Sequence, residues 1–264
     1  MTKGMIRLRK IKMGIIGAGF IGPVHVESIR RLGFVDVIGV STVSKEETKK
    51  AQEMLTIQKG YDDYHDLIAD NEVEVVQIAT PNYTHFPQIK AALEAGKHVI
   101  CDKPLTMNAE ESKILVELAK KKGVVNAVTF NHRFYPMVQQ MKAMCKKDSF
   151  GSMFFVRGGF TQDWLLYDTD YNWRVESDKG GKSRAVGDLG THWLDTVHYI
   201  TGLKVKSVFA DLATFIPIRK KPKSDIFTFA GKELKPTDYE ERKIDTEDYS
   251  AVLLKFFFLR NRLV

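Results

Sequence analysis

The stretch Met13-Gly-Ile-Ile-Gly-Ala-Gly-Phe-Ile-Gly22 decides the predicted fold, because it reads as a buried strand, a glycine-rich turn and the start of a helix. Its last six residues have the G-x-G-x-x-G spacing of a dinucleotide-binding loop. In such loops the first glycine allows a tight turn and the second lets backbone N–H groups approach a pyrophosphate. The third lets the helix pack close to its strand, with its positive end toward the phosphates. The predicted cofactor contacts in this loop are Gly17, Gly19, Phe20, Ile21 and Gly22.

Strands and helices alternate outward from this loop as far as residue 130. This alternation predicts an α/β fold with a doubly wound parallel sheet, assigned to a first domain at residues 1–130. The predicted strands are Ile11–Ile16, Val35–Val40, Val73–Ala79, His98–Cys101 and Val124–Phe130. The predicted helices are Val24–Leu32, Lys45–Met54, Phe86–Ala95 and Ala109–Lys122.

The remaining residues, 131–264, alternate less and predict an α+β second domain. Its predicted helices are Tyr135–Lys146 and a segment from Gly187 to Gly202, and its predicted strands are Met153–Phe160, Val205–Ala213 and Tyr249–Phe258. Ile218 to Glu247 is expected to be a long charged loop.

The composition of the 264 residues is that of an ordinary globular protein, with 44% hydrophobic and 28% charged residues. The net charge is +7, but the basic residues cluster in the N-terminal lead and in a loop, without a nucleic-acid-binding motif. No segment is long and apolar enough to span a bilayer. The basic, then apolar N-terminus is not expected to be a signal peptide, because cleavage would destroy the glycine loop. Two cysteines do not make a disulfide framework, which favours a reducing, cytoplasmic compartment. We therefore expect neither a nucleic-acid partner nor a membrane.

The end of the second predicted strand bears on the choice between NAD and NADP. An Asp or Glu there binds the ribose 2′-hydroxyl of NAD, whereas an Arg suits the 2′-phosphate of NADP. The chain has the small hydroxyl residues Ser41 and Thr42 instead, followed closely by Lys45. The sequence therefore leaves NAD and NADP both open and predicts weak discrimination between them.

Two further strands end in polar turns. Thr80-Pro81-Asn82 follows one of them, and Asp102-Lys103-Pro104 follows the next. Open α/β sheets bind their ligands at the carboxyl ends of the strands, so these turns are candidate site segments. His85, just beyond the first turn, reads by itself as an ordinary residue at a helix start.

Asp188, His192 and Asp195 are spaced so that they share one face of a helix. Three interpretations are open from this spacing alone. The residues could form an acid–base pair, a zinc site with His198 one turn along, or a capped helix start with a buried histidine.

Together these segments resemble the Gfo/Idh/MocA family of oxidoreductases, the glucose–fructose oxidoreductase and inositol dehydrogenase group. The motifs that carry the resemblance occur in family order and cover nearly the whole chain. They are Gly14–Gly22, Ala79–His85, Asp102-Lys103-Pro104, Trp173-Arg174, Gly187–Asp195 and Thr246-Glu-Asp-Tyr249.

The resemblance implies a Rossmann domain that binds NAD or NADP, a second domain with a large open sheet, and metal-free hydride transfer on a sugar or polyol. It implies catalytic roles for Lys103, Asp188 and His192, and substrate contacts for Trp173, Arg174 and Asp195. The cofactor contacts that it implies beyond the glycine loop are Ser41, Thr42, Thr80, Pro81, Asn82, His85, Asp102 and Lys103. Asp102 departs from the family pattern, which has Glu at this position.

These residues suit alcohol oxidation. A histidine such as His192 can exchange the hydroxyl proton near neutral pH, and Asp188 can orient its ring. Lys103 can stabilise a developing alkoxide. The alternative is a non-catalytic member of the family that senses cofactor or sugar, but a pure sensor has no need to keep all three residues.

The resemblance stops after Phe256, and Phe257–Val264 is unlike the family. We therefore expect a C-terminally shortened chain, for which a reading-frame slip near the Phe run would account. The family suggests a homo-oligomer formed through the C-terminal sheet. A shortened sheet would expose unpaired edges, so regular assembly is not expected of this chain.

Overall fold

The structure is a computed structural model that describes residues 9–147, 149–223 and 238–257. The chain forms two compact units, Met1–Thr129 and Phe130–Val264, which divide one residue before the boundary expected from the sequence. In the described residues, no helix combines the length and the apolar character needed to cross a membrane.

The first unit contains a single six-stranded sheet in the order β3-β2-β1-β4-β5-β6, with every neighbouring pair parallel. This order confirms the predicted doubly wound sheet. The strands are β1 (Ile11–Ile16), β2 (Val35–Ser41), β3 (Lys59–Tyr61), β4 (Val75–Ile78), β5 (His98–Asp102) and β6 (Asn126–Thr129).

Five helices connect these strands, and some of them begin or end at residues that favour helix ends. Ser44 and Asn108 precede helices and accept hydrogen bonds from the backbone N–H three residues on. Gly123 ends a helix in the left-handed region, at φ 66°. The helices are α1 (Ile21–Arg30), α2 (Lys45–Leu55), α3 (Tyr64–Ala69), α4 (Asn82–Glu94) and α5 (Ala109–Lys122).

The core of the first unit lies on both faces of this sheet, as a parallel sheet requires. Ile15, Val76 and Ile78 are fully buried at the centre. Cys101 is 1% exposed, as expected for a small core residue, and burial raises the pKa of its thiol well above the usual range. The buried sheet leaves the carboxyl ends of β1, β2, β4 and β5 as the edge that carries the polar turns.

The second unit mixes helices with two small antiparallel sheets, formed by β7 with β10 and by β8 with β9. Its main helices are α6 (Pro136–Lys146), α7 (Ser177–Gly180) and α8 (Thr191–Thr201), with 3-10 turns at Asn131–Phe134 and Trp173–Val175 and a π-helix at Ala185–Gly190. Its strands are β7 (Val205–Ala213), β8 (Ile218–Pro222), β9 (Tyr239–Lys243) and β10 (Tyr249–Phe256). The α+β prediction is confirmed, and the described sheets are smaller than the expected open sheet.

Two expectations for the second unit are wrong. Met153–Phe160 forms no strand, and Phe154 and Phe155 are 88% and 78% exposed, so no sheet partner covers them. The expected loop Ile218–Glu247 instead contains β8 and β9, which ion pairs help to hold, among them Lys220 with Asp168 at 2.8 Å. Phe258, the predicted end of the last strand, and the following residues 259–264 lie outside the described residues.

The second unit contains a buried cluster of charged residues. Arg219 is fully buried and donates to Asp248 at 2.9 Å and to the carbonyl oxygens of Tyr167, Asp170 and Leu165. Arg184 pairs with the same carboxylate. Because each buried guanidinium has a carboxylate or carbonyl partner, the cluster joins β8, the π-helix and the start of β10.

Candidate active site

The three glycines of the loop between β1 and α1 have different surroundings. Gly17 has φ 93°, and a Cβ there would lie 2.6 Å from the carbonyl oxygen of Ala79. A Cβ at Gly22 would lie 2.5 Å from the carbonyl oxygen of Gly17, so close packing of helix on turn requires glycine. A Cβ at Gly19 would meet nothing within 4 Å, so this backbone faces open space. The loop thus combines two sterically fixed glycines with one that a ligand can approach.

The start of α1 offers a positive helix end to a ligand. Its first turn carries no acidic residue, and the preceding Phe20 makes no side-chain capping hydrogen bond. Ile21 is the first residue of the helix. An anionic pyrophosphate matches the positive end of this helix and the open approach at Gly19, so the residues present fit a dinucleotide.

The end of β2 differs from the expected hydroxyl surface. Ser41 is 1% exposed and contributes its carbonyl oxygen, which accepts a hydrogen bond of 2.8 Å from the Gly17 N–H. Thr42 Oγ1 lies 2.8 Å from Thr48 Oγ1 and donates to the carbonyl oxygen of Ser44. The predicted ribose contact through the Ser41 side chain is therefore not supported, because that side chain is buried. Thr42 contributes a hydroxyl that is already engaged within the chain.

The turn after β4 is held by its own hydroxyl groups. Thr80 Oγ1 donates to Gln88 Oε1, and Thr84 Oγ1 donates to Thr80 Oγ1, each at 2.7 Å. Pro81 is the extended residue before α4, and Asn82 begins the helix. Thr80, Pro81 and Asn82 therefore lie at the predicted edge of the sheet, in a turn with a fixed shape.

His85 takes a different position from the predicted cofactor contact. Its side chain is 0% exposed, and its two ring nitrogens lie 2.7 Å from the Pro104 carbonyl oxygen and 2.8 Å from the Thr80 carbonyl oxygen. A ring enclosed in this way cannot touch a bound ligand without displacement. The structure therefore corrects this prediction: His85 joins two turns of the site and does not line it.

The turn after β5 carries Lys103, which is partly exposed between two anchored neighbours. Asp102 Oδ1 accepts a 2.7 Å hydrogen bond from Thr129 Oγ1 at the end of β6, and Pro104 contacts His85. Asp102 also faces His25 of α1, where burial lowers the histidine pKa more than this carboxylate raises it. The structure thus places the predicted lysine at the carboxyl edge of the sheet.

In the second unit, the predicted Asp188 lies with the predicted substrate residues. Asp188 is in the π-helix, and its Oδ2 lies 3.6 Å from Arg174 Nε. The Arg174 guanidinium lies over the Trp173 ring, 4.4 Å from its centroid, and over Trp164 at 5.3 Å. These residues form one cluster of a carboxylate, a cation and two indole rings. Trp164 is a member that sequence reasoning missed.

His192, in the first turn of α8, lies in an aromatic cluster. Its ring stacks on that of His132, with centroids 4.1 Å apart and an interplanar angle of 22°. Phe160 lies nearly parallel to both rings, and Phe130 meets His192 edge-on at 6.0 Å. Sequence reasoning missed His132, although its place directly after the last parallel strand was a usable signal.

Asp195 is paired with Arg133 in the structure. Its side chain is 10% exposed, and both carboxylate oxygens accept hydrogen bonds from Arg133, which also lies over the Tyr199 ring. A bidentate pair of this kind is strong and directional. The pair joins α8 to the 3-10 turn at Asn131–Phe134, and substrate contact by the remaining lone pairs of Asp195 stays a prediction.

Glu247 gives the matched Thr246-Glu-Asp-Tyr249 motif a structural explanation. Its carboxylate is 5% exposed and accepts hydrogen bonds of 2.8 to 2.9 Å from Ser183 Oγ and from the backbone N–H groups of Arg184 and Val186. These groups lie at the start of the π-helix that carries Asp188. Glu247 therefore caps this segment from a distant part of the chain.

The zinc interpretation finds no support in the described part of the chain, where no group of three or more His, Cys, Asp or Glu is arranged to hold a metal ion. His198 is exposed, and its Nδ1 lies 2.9 Å from the carbonyl oxygen of Leu203, beyond the end of α8.

Comparison with known proteins matches both units to one family. Residues 11–130 match the model of an oxidoreductase family with an NAD-binding Rossmann fold, and residues 138–257 match the GFO/IDH/MocA C-terminal domain. The levoglucosan dehydrogenase of Pseudarthrobacter phenanthrenivorans is 33% identical over 221 residues, which is 80% of this chain and 56% of the relative. The myo-inositol 2-dehydrogenase of Thermotoga maritima is 31% identical over 201 residues, 76% of this chain and 58% of the relative.

A solved levoglucosan dehydrogenase in complex with NADH and levoglucosan has a similar structure, with a TM-score of 0.83 and 29% identity. The match covers 94% of this chain and 64% of the solved one. The chain thus spans less than two thirds of the length of these relatives.

Proposed function

This chain belongs to the Gfo/Idh/MocA family of oxidoreductases, and from that premise we propose that the protein is an NAD-dependent dehydrogenase of a sugar or polyol. The proposed reaction transfers a hydride between a secondary alcohol of the substrate and the nicotinamide ring. The reverse reduction of the corresponding ketone is part of the same equilibrium.

The observation that carries the proposal is the loop between β1 and α1. Gly17 and Gly22 cannot be replaced without a clash, whereas Gly19 faces open space beside a helix start that has no acidic residue in its first turn. A turn needed only to join strand to helix would not require that open approach. The relatives support the same cofactor, because one is solved with NADH bound.

The chain's own residues supply binding and proton handling, whereas bound nicotinamide would supply the hydride acceptor. Gly17 to Gly22 would hold the pyrophosphate through backbone N–H groups and the helix end. The Lys103 ammonium would donate a hydrogen bond to the substrate oxygen and stabilise its developing negative charge. His192 would accept the hydroxyl proton during oxidation and return it during reduction.

Other side chains of the second unit would support the proton transfer and bind the substrate. The ion pair of Asp188 with Arg174 limits the movement of the carboxylate that we assign to orienting His192. The indole faces of Trp164 and Trp173 offer apolar surfaces of the kind that bind the C–H faces of sugar rings. Levoglucosan and myo-inositol, the substrates in the names of two relatives, define the chemical class that we propose.

A substrate panel tests the proposal. The full chain is mixed with NAD⁺ or NADP⁺ and with levoglucosan, myo-inositol and a set of simple sugars, and reduced nicotinamide is followed by absorbance. NADH binding is measured separately by fluorescence. We expect binding together with turnover on at least one secondary alcohol. Binding without turnover across the panel would favour the sensor role, and absence of NADH binding would contradict the proposal.

A further inference from the structure

A single buried imidazole connects two turns at the ligand-binding edge of the first unit. His85 projects from α4 and is fully enclosed, with Nδ1 2.7 Å from the Pro104 carbonyl oxygen and Nε2 2.8 Å from the Thr80 carbonyl oxygen. Thr80 follows β4, and Pro104 follows β5, the parallel neighbour of β4. The ring therefore spans the gap between the two turns.

The turn that carries Lys103 depends on anchors on both sides of the lysine. Asp102, just before it, accepts from Thr129 Oγ1 at 2.7 Å. Pro104, just after it, has its carbonyl oxygen against His85. One anchor comes from the end of β6 and the other from α4, so the lysine backbone is fixed from two separate elements.

The two ring nitrogens of a neutral His85 cannot both donate a hydrogen bond. Both partners are carbonyl oxygens, which only accept, and a neutral imidazole has one N–H to donate. The pKa of His85 is lowered, and burial is the largest cause. The carbonyl contacts with Pro104 and Thr80 and the Asp102 carboxylate raise this pKa, and the Lys103 ammonium lowers it, but none of these effects is as large as that of burial. The neutral ring is therefore favoured, and the two carbonyls compete for one proton.

A hydrogen bond from the ring matters more for the Pro104 turn than for the Thr80 turn. The Thr80 turn is already held by the hydroxyl hydrogen bonds of Thr80 with Gln88 and of Thr84 with Thr80. The backbone N–H of Thr84 also donates to the Pro81 carbonyl oxygen at 3.0 Å. Thr80 is also only five residues from His85, whereas Pro104 is nineteen residues away. The bond to Pro104 is the one that joins separate segments of the chain.

We propose that His85 is a positioning residue for Lys103, and that it acts by donating its Nδ1–H to the carbonyl oxygen of Pro104. The ring itself touches neither substrate nor cofactor. The inference rests on the proposed function only in assigning Lys103 to the chemistry, because the hydrogen bond itself exists with or without turnover.

Two substitutions separate the two ends of the ring. The carboxamide nitrogen of Asn occupies nearly the place of Nδ1, so His85→Asn keeps a donor toward Pro104. The longer Gln places its nitrogen near Nε2, so His85→Gln keeps a donor toward Thr80. Both are polar, uncharged and smaller than histidine, and each serves as the control for the other, with thermal melting as the measure of folding.

We expect His85→Asn to keep kcat within about threefold of the wild type, and His85→Gln to lower kcat roughly tenfold or more, because a displaced lysine lies outside its productive geometry. The Kd for NADH should change little in either variant. Equal kcat values for the two variants, or the reverse order, would overturn the proposal.

A spectroscopic measurement shows which ring nitrogen of His85 carries the hydrogen, even where a variant fails to fold or the wild type shows no turnover. The ¹⁵N shifts of the His85 ring in the wild-type protein report which nitrogen carries hydrogen. A protonated Nδ1 is the expected result. A bare Nδ1 with a protonated Nε2 would overturn the proposal, whatever the substrate panel shows. Failure of the panel with a protonated Nδ1 would contradict the proposed function alone.

Discussion

The ring of His132 lies face to face with that of His192, with their centroids 4.1 Å apart and their planes inclined by 22°. Phe160 lies nearly parallel on the same cluster, 5.4 Å from His132. A flat neighbour at this distance restricts rotation of the imidazole about its own side-chain bonds. The proposed proton acceptor is therefore held in orientation by stacking as well as by its place on α8.

Replacing His132 tests this orientation. His132→Ala removes the flat surface and should lower kcat about tenfold, since a misaligned base loses part of its catalytic advantage. His132→Phe keeps a flat ring and should stay close to the wild type. Steady-state kinetics with the best substrate of the panel provide the measurement. An Ala variant with wild-type kcat, or a Phe variant as slow as Ala, would refute the stacking role.

Substitution of Glu247 should destabilise the π-helix, although Glu247 lies in a distant part of the chain. In Glu247→Gln one acceptor oxygen becomes an amide donor that faces backbone N–H groups, which should lower the free energy of unfolding by about 1–3 kcal/mol. Because this segment carries Asp188, kcat should fall as well. Urea unfolding and kinetics measure the two effects. The exposed Glu241→Gln on β9 is the control, and similar behaviour of the two variants would exclude the capping role.

Acid should destabilise the protein through two histidines, the partly buried His25 and the fully buried His85. Burial lowers the folded-state pKa of His25 and of His85 below their usual 6.5. The unfolded chain therefore binds more protons as the pH falls below 6.5, and the stability that these residues contribute above that pH is lost as the pH approaches their folded-state pKa values.

The comparison that isolates this effect is between the wild type and His25→Gln. Urea midpoints measured at about pH 7.5 and about pH 5.5 should fall more steeply with acid in the wild type, because the variant has lost one of the two groups. A variant whose midpoint falls as steeply as that of the wild type would contradict the assignment for His25.

Weak discrimination between NAD and NADP is expected from the end of β2. Ser41 is buried and Thr42 is uncharged, so that no carboxylate there repels a 2′-phosphate. Titration of both cofactors measures the ratio of their Kd values. Thr42→Asp should shift that ratio toward NAD. A wild-type preference above about a hundredfold, or about 2.7 kcal/mol, would show that another residue makes the selection.

Sequence reasoning located the first unit well because its strands are buried on both faces. β1 and α5 have the predicted bounds, and the apolar runs of β2, β4 and β5 are unmistakable. β3 and α3 were missed, since three and six residues are too short to show a period. In the second unit, β8 and β9 carry charged residues in place of an apolar alternation, and for that reason their sequence predicts a loop.

For the candidate site, the sequence predicts which residues matter but not which contacts they make. Residue types and spacing indicated Gly17, Lys103 and His192, but they could not show what each side chain touches. His85 and Asp195 are expected at ligands, and the sequence could not show that His85 contacts Pro104 or that Asp195 pairs with Arg133. Such contacts join residues nineteen and sixty-two positions apart, and no local pattern in one sequence encodes them.

The central claim is that Lys103 takes part in hydride transfer to NAD⁺, and its replacement is the most direct test. Lys103→Met keeps much of the side-chain length and removes the charge, while Lys113→Met, on the exposed face of α5, is the matched control. Turnover with the best alcohol of the panel and the Kd for NADH are measured for both variants. The account predicts a loss of about 10²–10³ in kcat for Lys103→Met, an NADH Kd within about twofold of the wild type, and no change in the control. Near-normal turnover by Lys103→Met would contradict it.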